Sequence, residues 1–176
     1  MVQLRMRHWL GLPLLPMPPL PEAYVLREAT PTDSMALSRV LEASFKEPWP
    51  EERVRQVLLD HPEVPKTFVV AHGQDIAATA SYQVMPREFP FSGWVHYVGG
   101  SPAHAGKGLG AVVTLRVLEE AVARHNADVG LTTDDPRLAA IKTYLRLGFE
   151  PDIWHETHAA RWRAVFNELG MPCPPL

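Results

Sequence analysis

Three glycines within five residues, Gly106, Gly108 and Gly110, stand directly before a long helical pattern. Glycines at this spacing let the backbone adopt positive φ and let a ligand approach the main chain closely. The pattern behind them, residues 109–125, puts Val112, Leu115, Leu118 and Val122 on one face. The first turn of such a helix carries unpaired N–H groups and the positive end of its dipole. Loop and helix together make a cradle for a phosphate-like anion. Upstream, residues 94–98 read as a strand, so the chain must fold with a sheet that feeds a helix through this loop.

The rest of the chain supplies partners for that unit. Residues 24–27 read as a short strand, and Thr30-Pro-Thr-Asp33 carries a turn and N-cap signal. Met35, Leu37, Val40, Leu41 and Phe45 follow at helical spacing, until Pro48 and Pro50 break it. A second helix is expected over 51–60. Strands over 67–71 and 76–84, joined by His72-Gly-Gln-Asp75, read as a hairpin. After the glycine loop and its helix come a strand at 129–132 and a helix over 136–147 that Gly148 closes. A short strand then starts at Phe149, and a last helix covers about 159–169. The order β, α, α, β, β, β, α, β, α, β, α predicts a mixed α/β fold. Its sheet is central and mostly antiparallel, flanked by helices, with two βα crossovers at the end.

Bulk properties narrow the function. At 176 residues with 46% hydrophobic and 21% charged residues, the chain reads as one soluble domain with a real core. A net charge of -3 excludes a dedicated nucleic-acid binder with a basic face. No apolar run is long enough for a transmembrane helix, so no membrane association is expected. The single cysteine, Cys173, rules out a disulfide within the chain and fits a cytoplasmic location. Prolines crowd both ends: Pro13, Pro16, Pro18, Pro19 and Pro21, then Pro172, Pro174 and Pro175. Residues 1–22 are therefore expected to form an extended arm that packs on the domain or on a second subunit, as in a homodimer. Arg5 and Arg7 before an apolar run loosely imitate a secretory signal, but prolines break the run and no cleavage site follows. The domain itself is expected over 23–170, with 171–176 as a tail.

The glycine loop admits several ligands. A Walker A loop needs Ser or Thr after its lysine, and here Lys107 precedes Gly108, so that reading fails. Gly106, Gly108 and Ala111 formally match a dinucleotide fingerprint, but residues 99–105 separate them from the strand and too little chain follows. A plain glycine-rich turn and the pyrophosphate of coenzyme A remain. The run Val98-Gly-Gly-Ser-Pro-Ala-His-Ala-Gly-Lys-Gly-Leu-Gly110 resembles the acetyl-CoA-binding motif of the GNAT superfamily, acyl-CoA N-acyltransferases. Downstream, Ala140-Ile-Lys-Thr-Tyr-Leu-Arg-Leu-Gly-Phe149 is similar to that family's second hallmark. Both motifs occur in the family's order, with a helix and a strand between them.

The resemblance implies an N-acetyltransferase that moves an acetyl group from acetyl-CoA to a primary amine of a small molecule or peptide, without a metal. It implies Tyr144 as the acid that protonates the leaving thiolate. His96, on the strand that enters the loop, would accept the amine proton. It implies cofactor contacts at Val98, Gly100, Gly106, Lys107, Gly108, Leu109 and Gly110. Pantetheine would pair with the backbone around Val98 and Gly100. Trp94, His96 and Val98 are expected on one face of their strand. Two positions depart from the family: Ala105 stands where Arg or Gln is usual, and Arg137 where Asn is frequent. Arg137 is expected to meet a phosphate instead, or to be solvated. Ala105 also keeps open a noncatalytic acyl-CoA-binding sensor. Asp134 and Asp135 attract a cationic amine or cap the helix that follows; His155 and His158 belong to a loop rather than a metal pair.

Overall fold

The computed structural model describes residues 2–176. The hairpin at its centre pairs β3 (Lys66–His72) with β4 (Asp75–Met85). Both strands are apolar on both faces, which requires cover on each side. Phe68 and Val70 point into one core and Val69 into the other. On the Val69 side lie α1 (Ser34–Phe45) and α2 (Glu51–Val54), the latter continuing as a π turn over Arg55–Leu59. The other side is covered by α3 (Leu109–Ala123), α4 (Leu138–Arg146) and α5 (His158–Leu169). No helix of the described residues is long and apolar enough to cross a membrane.

The remaining strands are β1 (Leu4–Trp9), β2 (Tyr24–Glu28), β5 (Phe89–Gly100), β6 (Asp128–Thr133) and β7 (Glu150–Asp152). The seven-stranded sheet runs β2-β3-β4-β5-β6-β1-β7. Only the β5–β6 neighbours are parallel, as the crossover through α3 demands. The mixed, mostly antiparallel sheet flanked by helices is the architecture expected from the element order.

The amino-terminal arm packs on its own domain, one of the two expected places, but it does so as a regular strand. Residues 4–9 form β1, inserted between β6 and β7 and antiparallel to both. The reason is a period of two in Leu-Arg-Met-Arg-His-Trp. Leu4, Met6 and His8 are buried in the core under the helices. Arg5 and Arg7 face the other way and pair with Asp152, and Arg7 also with Asp128. The prolines start only beyond this segment, at Pro13. From Leu10 to Pro21 the chain has no regular structure, yet Leu10, Leu14, Met17 and Leu20 pack against the core. The arm is thus part of the domain, and its strand lies in the sheet of its own chain.

Candidate functional site

Parallel pairing of β5 and β6 is brief. It spans Ser92–Trp94 against Asp128–Gly130 and then stops. The last rung is Trp94 opposite Gly130, whose missing side chain leaves room for the indole. A Cβ at Gly130 would meet Trp94 ring carbons at 2.9 Å. Gly130→Ala is expected to destabilise the fold by about 1–3 kcal/mol through overpacking. Urea unfolding measures it, and an unchanged midpoint would show that the indole moves freely.

Beyond that rung the strands part, and β5 is further distorted. Its register with β4 pairs His96 with Ser81 and Gly99 with Thr79, so that Tyr97 and Val98 drop out of the ladder. Tyr97 has φ of 46°, in the left-handed region that non-glycine residues rarely occupy. This bulge breaks strand alternation after His96, so the single face expected for Trp94, His96 and Val98 does not persist through Val98. Strain of this kind persists only where surrounding packing enforces it. Here Tyr97 is held edge-on by Trp49, at 4.7 Å between centroids, and by Phe45 at 5.6 Å.

The gap between the strands is a cavity of about 360 Å³. His96, Tyr97 and Val98 form one wall; Thr132, Thr133 and Asp134 form the other. Tyr144 from α4 and Glu47 from the loop after α1 also border it. Burial pushes the Tyr144 phenol up to about 12, so it stays protonated and keeps its O–H to donate. Burial, reinforced by the neighbouring His61, brings His96 down to about 4. Its imidazole is therefore neutral near pH 7, and the same burial makes it a weaker base than a free imidazole. Because this pKa lies below the unfolded value near 6.5, the folded state binds fewer protons between these limits. Stability is expected to be insensitive to His96 above pH 6.5 and to fall as pH drops towards 4. His96→Gln should flatten that limb in unfolding titrations; an unaltered limb would show that His96 titrates normally.

A second cavity opens at the other end of the Val98–Gly100 segment. Gly100, Gly106, Lys107, Gly108, Leu109 and Gly110 line it, with His104 and Thr143. Gly106 and Gly108 adopt φ of 78° and 71°, and Gly108 is the N-cap of α3 with no side-chain cap bond. The first N–H groups of the helix are thereby left to a ligand. Lys107 and His104 border the space, and no carboxylate does. The arrangement suits an anion. Successive residues of α4, Thr143 and Tyr144, border the two cavities, and so do Gly100 and Val98 of β5.

Three residues differ in place or pairing from the sequence expectation. Arg137 is not at the glycine loop: it borders the strand-gap cavity, bonds Asp134 at 3.2 Å and lies over the Phe45 ring at 4.6 Å. An aromatic face and a carboxylate one turn away hold it there. Gly100 offers less backbone than expected, since Ser44 Oγ accepts from its N–H at 2.8 Å and donates to its carbonyl at 3.0 Å. Asp135 pairs with Arg161, so of the two neighbouring carboxylates only Asp134 borders the cavity. Neither caps α4, whose N-cap is Arg137. Sequence reasoning missed Gln3, Glu47, Thr132 and Thr133, which carry no motif. Only the alternation in residues 4–9 could have brought Gln3 into view.

Comparison with known proteins gives the family and the fold. The profile of the acetyltransferase (GNAT) family matches residues 34–149. The mycothiol acetyltransferase of Mycolicibacterium gilvum is 33% identical over 153 residues, covering 78% of this chain and 50% of that protein. The mycothiol acetyltransferase of Nocardia farcinica is 34% identical over 161 residues, covering 84% and 52%. The chain thus spans about half the length of these relatives. A GCN5-related N-acetyltransferase from Sphaerobacter thermophilus superposes with a TM-score of 0.69 at 24% identity, covering 85% of this chain and 48% of that one. That likeness is one of fold.

Proposed function

The chain belongs to the acetyltransferase (GNAT) family, and from that premise we propose that it transfers an acetyl group from acetyl-CoA to a primary amine in a ternary complex. The observation that carries the reading is the adjacency of two cavities. One is an anion cradle at the start of α3, and the other is a strand gap holding a protonated phenol and a neutral imidazole.

The cradle fits a pyrophosphate. Gly106, Gly108 and Gly110 have no protein atom within 4 Å of the Cβ position, so the loop face is open to a ligand. Lys107 and His104 supply the cationic and donor groups that Ala105 does not. Pantetheine would then run along β5 towards Val98, with Ser44 yielding at Gly100.

In the strand gap the amine nitrogen attacks the thioester carbonyl, forming the C–N bond as the C–S bond breaks. His96 takes the ammonium proton, directly or through water. The backbone N–H at Val98, outside the β4 ladder, faces the developing oxyanion. Tyr144 gives its proton to the departing thiolate and regains one from solvent. No covalent acyl-enzyme is needed. The setting of this chemistry is taken to be the cytoplasm.

Calorimetric titration with acetyl-CoA, with free CoA and NAD as comparisons, tests the cradle. Saturable binding of acetyl-CoA in the micromolar range, and none of NAD, is expected. Release of free CoA thiol in the presence of amines then tests transfer. No acetyl-CoA binding would overturn the proposal.

A further inference from the structure

The slot between β6 and β7 is filled by β1, and this carries the residue before β1 to the mouth of the strand-gap cavity. Gln3 borders that cavity together with Thr132, Thr133 and Asp134. Two contacts hold the amino-terminal segment in place. Gln3 Nε2 donates to Asp134 Oδ1 at 3.0 Å, and Arg161, paired with Asp135, donates to the Val2 carbonyl at 2.6 Å.

The bond to Asp134 fixes what Gln3 can offer. A carboxylate only accepts, so the amide nitrogen must face it, and the amide oxygen is left to accept from something else. Asp134 holds Gln3 on one oxygen and Arg137 on the other. Glu47, the other carboxylate at the cavity, holds Arg53 on one oxygen. Each carboxylate at this mouth is thus paired with a cation, and the neutral groups beside them that can read a substrate include the Gln3 amide oxygen and the Thr132 hydroxyl. Such a mouth favours an amine that carries its own hydrogen-bond donor and disfavours an apolar one, which would strip water from these groups and replace none of it.

Resting on the acetyl-transfer reading above, we propose that Gln3 is a specificity-determining residue for the acceptor. Its amide oxygen accepts a hydrogen bond from a hydroxyl or N–H that the substrate carries beside its amine. The acceptor class is then a small polar amine rich in hydroxyl or amide groups.

Matched amines test this. Glucosamine is compared with cyclohexylamine, and serinol with isopropylamine, at saturating acetyl-CoA. The native chain is expected to prefer the hydroxylated member of each pair at least roughly tenfold in kcat/KM. Gln3→Leu keeps the bulk and removes the oxygen. It should raise KM for the hydroxylated amine about fivefold, leaving kcat, the KM for acetyl-CoA and the melting midpoint unchanged. A substitution that merely loosened β1 would instead lower the melting midpoint and reduce kcat on all four amines. Equal use of both members of each pair, an unchanged preference in Gln3→Leu, or acetyl-CoA binding with no transfer to any of the four overturns the inference. Failure to bind acetyl-CoA at all overturns the acetyl-transfer reading itself, and the calorimetric titration separates the two cases.

Discussion

Tyr144→Phe is expected to lower kcat by about 10²–10⁴-fold while leaving the dissociation constant for acetyl-CoA unchanged. The phenol keeps its proton at neutral pH, because burial pushes it up to about 12. Its ring is buried and packs edge-on against Phe149, with centroids 5.9 Å apart. Phenylalanine preserves that packing and deletes only the donor. Stopped-flow release of CoA thiol, paired with calorimetry, reads both quantities. A kcat within twofold of the native value would remove Tyr144 from the mechanism and leave thiolate protonation to water.

The second large effect concerns Trp49→Ala, which is expected to destabilise the fold by about 3–5 kcal/mol. Trp49 is among the largest fully buried side chains, with 1% of its surface exposed. Its ring lies in the α1–α2 core beside Leu37, Val40 and Leu41, with the Arg53 guanidinium 4.0 Å from its centroid. It also supports Tyr97, so its removal should free the bulge that shapes the cavity wall. Chemical denaturation should show the loss. Turnover of the fraction that remains folded should fall as well. Trp49→Phe should recover part of both. A loss below about 1 kcal/mol would mean that the neighbouring side chains close the space, and that the bulge holds itself.

What the sequence made legible was local. Residues 98–110 and 140–149 carry signals set by backbone geometry, namely glycine at positive φ and a phenol on a helix turn, and these lie where the spacing implied. Trp49 shows the limit of that reading. Flanked by Pro48 and Pro50, it reads as part of a break, whereas its burial depends on α1 and β5 closing over it. Arg137 shows another limit: its sequence position says which turn it occupies, but Phe45 and Asp134 decide where its guanidinium rests. The bulge at Tyr97 has no glycine to announce it. The arm misled most, because proline density after residue 12 outweighed six residues of clean alternation before it.

The insertion of β1 also orders events in time. Residues 4–9 leave the ribosome well before their partners, residues 128–133 and 150–152. Until those emerge, a strand with one apolar side waits unpaired in the nascent chain. Ring closure over so long a stretch is entropically slow and comes late in folding. Docking of β1 should therefore be the last, rate-limiting phase of refolding, and the open β6 and β7 edges before it the moment of greatest exposure to aggregation.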